Sequence, residues 1–126
     1  MTAESQYLLL FYTDEQEWAA RSDEDRGEVV REFYALIDEI RKEDGYVTGA
    51  PLKPTTTATT VRVRDSETVV TDGPFAETKE QLGGFFLIEA PSFEKACEWA
   101  AKVPTARYGS VEVRPVWPVP AEVPAA

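Results

Sequence analysis

The chain has 126 residues, the size of one ordinary domain. It is 43% hydrophobic and 29% charged, a balance that argues against disorder, and a chain this long can bury roughly two-thirds of its unfolded surface without disulfides or metals. The net charge of −10 makes phosphate backbones and anionic membranes poor partners, so nucleic-acid and membrane binding fall away as leading functions.

Residues 7–12 (YLLLFY) form a short apolar run whose length and aromatic content predict a strand buried on both faces. A short helical turn is expected around residues 15–20, anchored by Trp18. Ser22 followed by Asp25 reads as a helix start, and Val29, Val30, Phe33, Leu36, Ile37 and Ile40 recur at helical spacing. Gly45 is the expected C-terminal stop of that helix. Residues 46–52 read as a strand, and the threonine-rich run 55–60 favours extended backbone. Val61 and Val63 alternate with Arg62 and Arg64. Asp65-Ser66-Glu67 turns the chain and residues 68–71 return it, so a hairpin is expected.

Asp72-Gly73-Pro74-Phe75 interrupts the strands, and residues 76–82 suggest one helical turn. Residues 85–89 (FFLIE) read as another buried strand. Pro91-Ser92 opens a second main helix with Phe93, Ala96, Cys97 and Ala100 on its apolar face, and Pro104 ends it. Residues 110–117 alternate as the last strand, and the Pro/Ala-rich tail 118–126 reads as loose. The pattern predicts a single α+β domain over 1–126, core about 7–117. It is a ferredoxin-like sandwich with a mainly antiparallel sheet and two main helices on one face. The other face is left to a second copy of the chain, a homodimer.

The absence of histidine removes Ser-His and Cys-His nucleophile pairs and imidazole general bases. Cys97, the lone cysteine, permits no internal disulfide and is expected to be buried and inert. With a polar N-terminus and no apolar run of membrane-spanning length, the chain reads as cytoplasmic. No carboxylate spacing marks a metal site, and no cofactor is expected. Asp72-Gly73-Pro74 has two readings. It is a structural turn, or it sets the Asp72 carboxylate at a cleft lip with Phe75 as an apolar wall. Glu77, Lys79 and Glu80 follow it, either as solvated charges or as a polar lining. Arg107 could bind an anion bidentately or pair with an acidic residue. Tyr12 and Tyr34 are aromatics for the same cleft or for the core. Candidates for acid–base work are Asp72, Tyr34 and Glu77, and candidates for ligand contact are Asp72, Phe75, Lys79, Arg107 and Tyr12.

The run VRVRDSETVVTDGPFAETKEQLGGFFLIEA closely resembles the DGPF branch of the YCII-related family, as do the opening YLLLFYTDE, the segment GYVTGAPL and the closing ARYGSVEVRPV. The resemblance implies a ferredoxin-like fold of the dimeric α/β-barrel superfamily, with two sheets packed face to face in a homodimer. Better-known YCII relatives have a cleft with a histidine and an acidic residue. That pair cannot be carried onto a chain without histidine, and Tyr34 is the polar candidate near the position. The DGPF branch is often encoded beside extracytoplasmic-function sigma factors. Two functions follow: a homodimer binding a small molecule in a cleft near the DGPF motif, with acid–base activity left open, or an interaction module whose partner is a sigma factor.

Overall fold

The computed structural model describes residues 5–118, so the loose tail expected for 118–126 lies, but for Pro118, outside the described residues. Strand β1 (Ser5–Thr13) runs into a short helix α1 (Glu15–Ala20) and then the long helix α2 (Asp23–Lys42). Strand β2 (Tyr46–Pro51) follows, then a 3-10 turn at Thr55–Thr57 and a hairpin of β3 (Thr59–Arg64) and β4 (Glu67–Asp72). Strand β5 (Gln81–Ala90), helix α3 (Phe93–Lys102), a 3-10 turn at Pro104–Arg107 and β6 (Ser110–Pro115) complete the described fold.

Four strands form one antiparallel sheet in the order β2-β5-β1-β6. Helix α2 carries the chain from β1 to β2 and leaves the place between them for β5. Helix α3 then carries it from β5 across to β6. This is the ferredoxin-like α+β arrangement. The hairpin β3–β4 stands apart as its own two-stranded sheet. Asp65 and Ser66 reverse it with φ of 52° and 65°, the left-handed pair that a two-residue hairpin turn needs.

Local chemistry accounts for the helices. The Ser22 hydroxyl accepts the Asp25 N–H at 3.1 Å and caps α2, while Asp23, Glu24 and Asp25 suit the positive end of its dipole. The stop differs in detail from expectation. Asp44 takes the left-handed conformation, at φ 56°, and Gly45 is the next residue, its N–H donating to the Ile40 carbonyl at 2.9 Å. Gly45 is needed for space instead. A Cβ there would lie 2.6 Å from the Trp99 ring and 2.8 Å from the Glu89 carbonyl oxygen.

The core joins Tyr7, Leu9 and Phe11 of β1 with Phe86 and Ile88 of β5 under Leu36 and Ile40 of α2. Trp99, at 1% exposure, is the large side chain that α3 adds to this core. Sequence reading missed it, although Ala96, Trp99, Ala100 and Val103 repeat at helical spacing. Cys97 is half-buried, not buried, because it stands at the edge of that stripe. The threonine run is not fully extended, since Thr57 Oγ1 donates to the Pro54 carbonyl at 2.7 Å within a 3-10 turn. Residues 76–80 form bends, not a helical turn, before β5 begins at Gln81.

The sheet face away from the helices is apolar and half-exposed. Leu8 lies opposite Leu87, and Leu10 opposite Phe85. Across β1 the same two leucines face Arg114 and Glu112 of β6. The strands expected to be buried on both faces are thus covered on one face only within a single chain. Among the described residues no helix is long and apolar enough to cross a membrane.

Candidate functional site

Helix α1 is six residues long, too short to stand unaided in water. Its position comes from its neighbours. Asp14 caps it by accepting the Gln16 N–H at 2.9 Å. At the other end Arg26 of α2 donates to the carbonyls of Trp18, Ala19 and Arg21, and the Trp18 carbonyl also accepts the Arg21 N–H. Trp18 then stacks beside Tyr108 with ring centroids 6.5 Å apart, and the Arg21 guanidinium lies 4.2 Å from the centre of the same Tyr108 ring.

Held there, α1 overhangs a cavity of about 720 Å³ between α2 and the helix-facing side of β1, β5 and β2. Its floor is an aromatic cluster centred on Phe86, whose ring stands 4.9 Å from Phe11, 5.4 Å from Tyr46 and 6.1 Å from Phe33, each close to perpendicular. Val30, Tyr34 and Ile37 of α2 form one wall. The charged lining residues are Glu15, Arg41 and Lys53. Arg41 lies 5.0 Å from the centre of the Tyr46 ring. Burial pushes the Tyr46 phenol above its ordinary value near 10, and the Arg41 charge pulls the other way.

A second, smaller cavity of about 500 Å³ borders the DGPF segment and is lined by Thr55, Gly73, Pro74, Glu77 and Gln81 among others. Three residues make the partition between the two. The Glu15 carboxylate, on the larger side, accepts the Thr55 N–H at 2.9 and 3.1 Å and the Thr55 hydroxyl at 3.2 Å. The Glu15 N–H donates to the Gln81 side-chain oxygen at 3.2 Å.

The residues singled out by sequence fall in several places. Tyr34 lines the larger cavity and Glu77 the smaller one. Asp72 closes β4 opposite Thr59. The turn after it is held by the Gly73 N–H, which donates to the Ala58 carbonyl at 2.8 Å, and by the Thr60 hydroxyl, which donates to the Gly73 carbonyl at 2.9 Å. Gly73 adopts φ +102°, a conformation that favours glycine. Phe75 is 78% exposed, with the Arg62 guanidinium 5.3 Å from its ring centre. Lys79 is exposed. Arg107 pairs with Glu32 of α2 at 2.5 Å, tying the second 3-10 turn to that helix. Tyr12 is on the open sheet face, where its hydroxyl donates to Glu112 at 3.2 Å. Burial first, and the Glu112 charge second, raise the Tyr12 phenol above its ordinary value. The structure therefore does not gather Asp72, Tyr34 and Arg107 around one cavity.

Sequence reading missed Glu15, Arg41, Tyr46 and Lys53 as lining residues. They come from α1, the end of α2, β2 and the loop after it, and only the fold brings them together. Among the described residues no group of three or more metal-ligating side chains is placed to hold an ion.

The YCII-related domain family matches residues 5–120. An uncharacterised protein of Rhizobium meliloti (strain 1021) is 42% identical over 112 residues, which is 87% of this chain and 90% of that protein.

Proposed function

This chain belongs to the YCII-related family, and we propose that it acts as a homodimer that binds a small molecule in the aromatic-lined cavity under α1. The observation that carries this reading is the cavity itself. Its volume of about 720 Å³ falls within the roughly 300–1,000 Å³ of small-molecule sites, which pair an apolar lining with a few polar groups. The DGPF segment contributes at second hand. It lines the smaller cavity, and the Glu15–Thr55–Gln81 contacts lie between the two.

Dimerisation is supported by the open sheet face. Leu8, Leu10, Phe85 and Leu87 form a contiguous apolar patch, with Arg114 and Glu112 beside it. A two-fold partner meets that patch with its own copy and offers each charge its opposite. The cavity opens on the other side of the sheet, so both surfaces can be used at once.

A metabolite panel screened by thermal shift, against wild type and Val30→Trp, tests the binding reading. Val30 is 45% exposed on the cavity wall, so an indole there fills space without disturbing the core. A compound that stabilises wild type but not the variant supports the site. Hits that ignore the indole, or no hits from the panel, overturn it. Sedimentation tests the dimer: wild type should sediment at twice 14.1 kDa and Leu10→Lys at 14.1 kDa.

A further inference from the structure

The charges that line the larger cavity are not equivalent. Glu15 is the carboxylate among them, and both its oxygens already accept hydrogen bonds from Thr55. Arg41 and Lys53 are the cations, and among the described residues neither has a carboxylate within ion-pairing distance. Yet the chain carries 23 acidic residues against 13 basic ones. On and around α2 some cations are paired, Arg26 with Asp23, Lys95 with Glu43, Lys102 with Glu39 and Arg107 with Glu32, whereas Arg31 and Lys42 of that helix, like Arg41, have no ion pair among the described residues; what sets Arg41 and Lys53 apart is that they line the cavity. The cations left without a carboxylate at this wall adjoin an apolar aromatic floor.

Arg41, an exposed residue of the lining, also has an aromatic neighbour. Its guanidinium rests against the Tyr46 ring, which itself packs on Phe86 in the floor. A guanidinium beside a ring face keeps its N–H donors available to an oxyanion.

Resting on the cavity reading above, we infer that the ligand is an aromatic anion: a planar apolar body against Phe86, Tyr46 and Phe33, with a carboxylate-type group met by Arg41 and favoured by the charge of Lys53, the other cation of the lining. The Glu15 carboxylate is turned toward Thr55, and the two cations of the lining outnumber it. The aromatic walls supply affinity for the ring, and the two cations select the charge.

The test uses two fluorescent probes of nearly the same shape, anilinonaphthalene sulfonate, which is anionic, and N-phenylnaphthylamine, which is neutral. Each is titrated into wild type, Arg41→Gln/Lys53→Gln and Val30→Trp. The expected result is one site per chain for the anionic probe, with its Kd raised about tenfold or more in the double variant, as loss of charge-assisted contacts predicts. The neutral probe should change less than about twofold, and Val30→Trp should weaken both. If the double variant leaves the anionic probe unchanged, or weakens both probes alike, anion selection is refuted while the cavity stands. If Val30→Trp leaves both probes bound as before, the cavity reading itself fails and this inference with it.

Discussion

Replacing Glu15 with alanine tests the wall that separates the two cavities. The carboxylate holds the Thr55 N–H at 2.9 and 3.1 Å and the Thr55 hydroxyl at 3.2 Å. Thr55 opens a 3-10 turn, so its N–H has no partner within that turn. A hydrogen bond to a charged group contributes about 1.5–3 kcal/mol when buried. Thr55 is only half-buried and water can replace part of the loss, so we expect about 1–2 kcal/mol. At roughly 2.1 cal/mol/K per residue of unfolding entropy, that lowers the Tm of a chain of 126 residues by roughly 4–8 °C. Hydrogen exchange gives the local readout, with protection of the Thr55 amide falling about 5- to 30-fold in Glu15→Ala. Glu15→Gln keeps one acceptor oxygen and should fall in between. Unchanged Thr55 protection in Glu15→Ala would refute the assignment of this carboxylate as the link between α1 and the 3-10 turn.

Other substitutions separate backbone propensity from crowding. Gly27→Ala removes a glycine from the interior of α2, where a Cβ meets only the flexible end of Arg31 at 3.6 Å, so thermal or urea unfolding should show a gain of about 0.5–1 kcal/mol. Gly45→Ala should lose about 1–2 kcal/mol in the same assay, because its Cβ would meet the buried Trp99 ring at 2.6 Å. A neutral or stabilising Gly45→Ala would show that Trp99 has room to move. At high pH, Tyr12 and Tyr46 both hold their protons more tightly folded than unfolded. Their contribution is therefore fully present below the ordinary tyrosine value of about 10 and lost as pH rises through the folded one. Melting temperatures should fall more steeply as pH rises above about 10 in wild type than in Tyr12→Phe/Tyr46→Phe. Parallel curves would count against the shifts.

Much of the architecture can be read along the chain because its causes are local. The apolar stripe of α2, its Ser22 cap and its acidic first turn lie within neighbouring turns of one helix. The alternation of Val61 and Val63 with Arg62 and Arg64, and the reversal at Asp65-Ser66, likewise place the β3–β4 hairpin. The family resemblance rests on that hairpin and the DGPF segment after it, together with the opening YLLLFYTDE, GYVTGAPL and the closing ARYGSVEVRPV.

The site is a different kind of object. Glu15 meets Thr55 across 40 positions and Gln81 across 66, and Arg107 meets Glu32 across 75. No periodicity encodes such pairs, which exist because the β2-β5-β1-β6 order brings distant segments side by side. Along the chain Arg107 could bind an anion or pair with an acidic residue, and folding pairs it with Glu32. Arg41 looks like one more cation near the end of an amphipathic helix, yet folding sets it against Tyr46 at the edge of an aromatic cavity. Length, charge, the main elements and the absence of histidine chemistry were determined by residue order alone, since each depends on composition or on neighbours a few positions apart. Which charges are neutralised by a partner and which face an empty apolar space was decided by tertiary packing, because that depends on contacts whose two halves lie far apart in the chain.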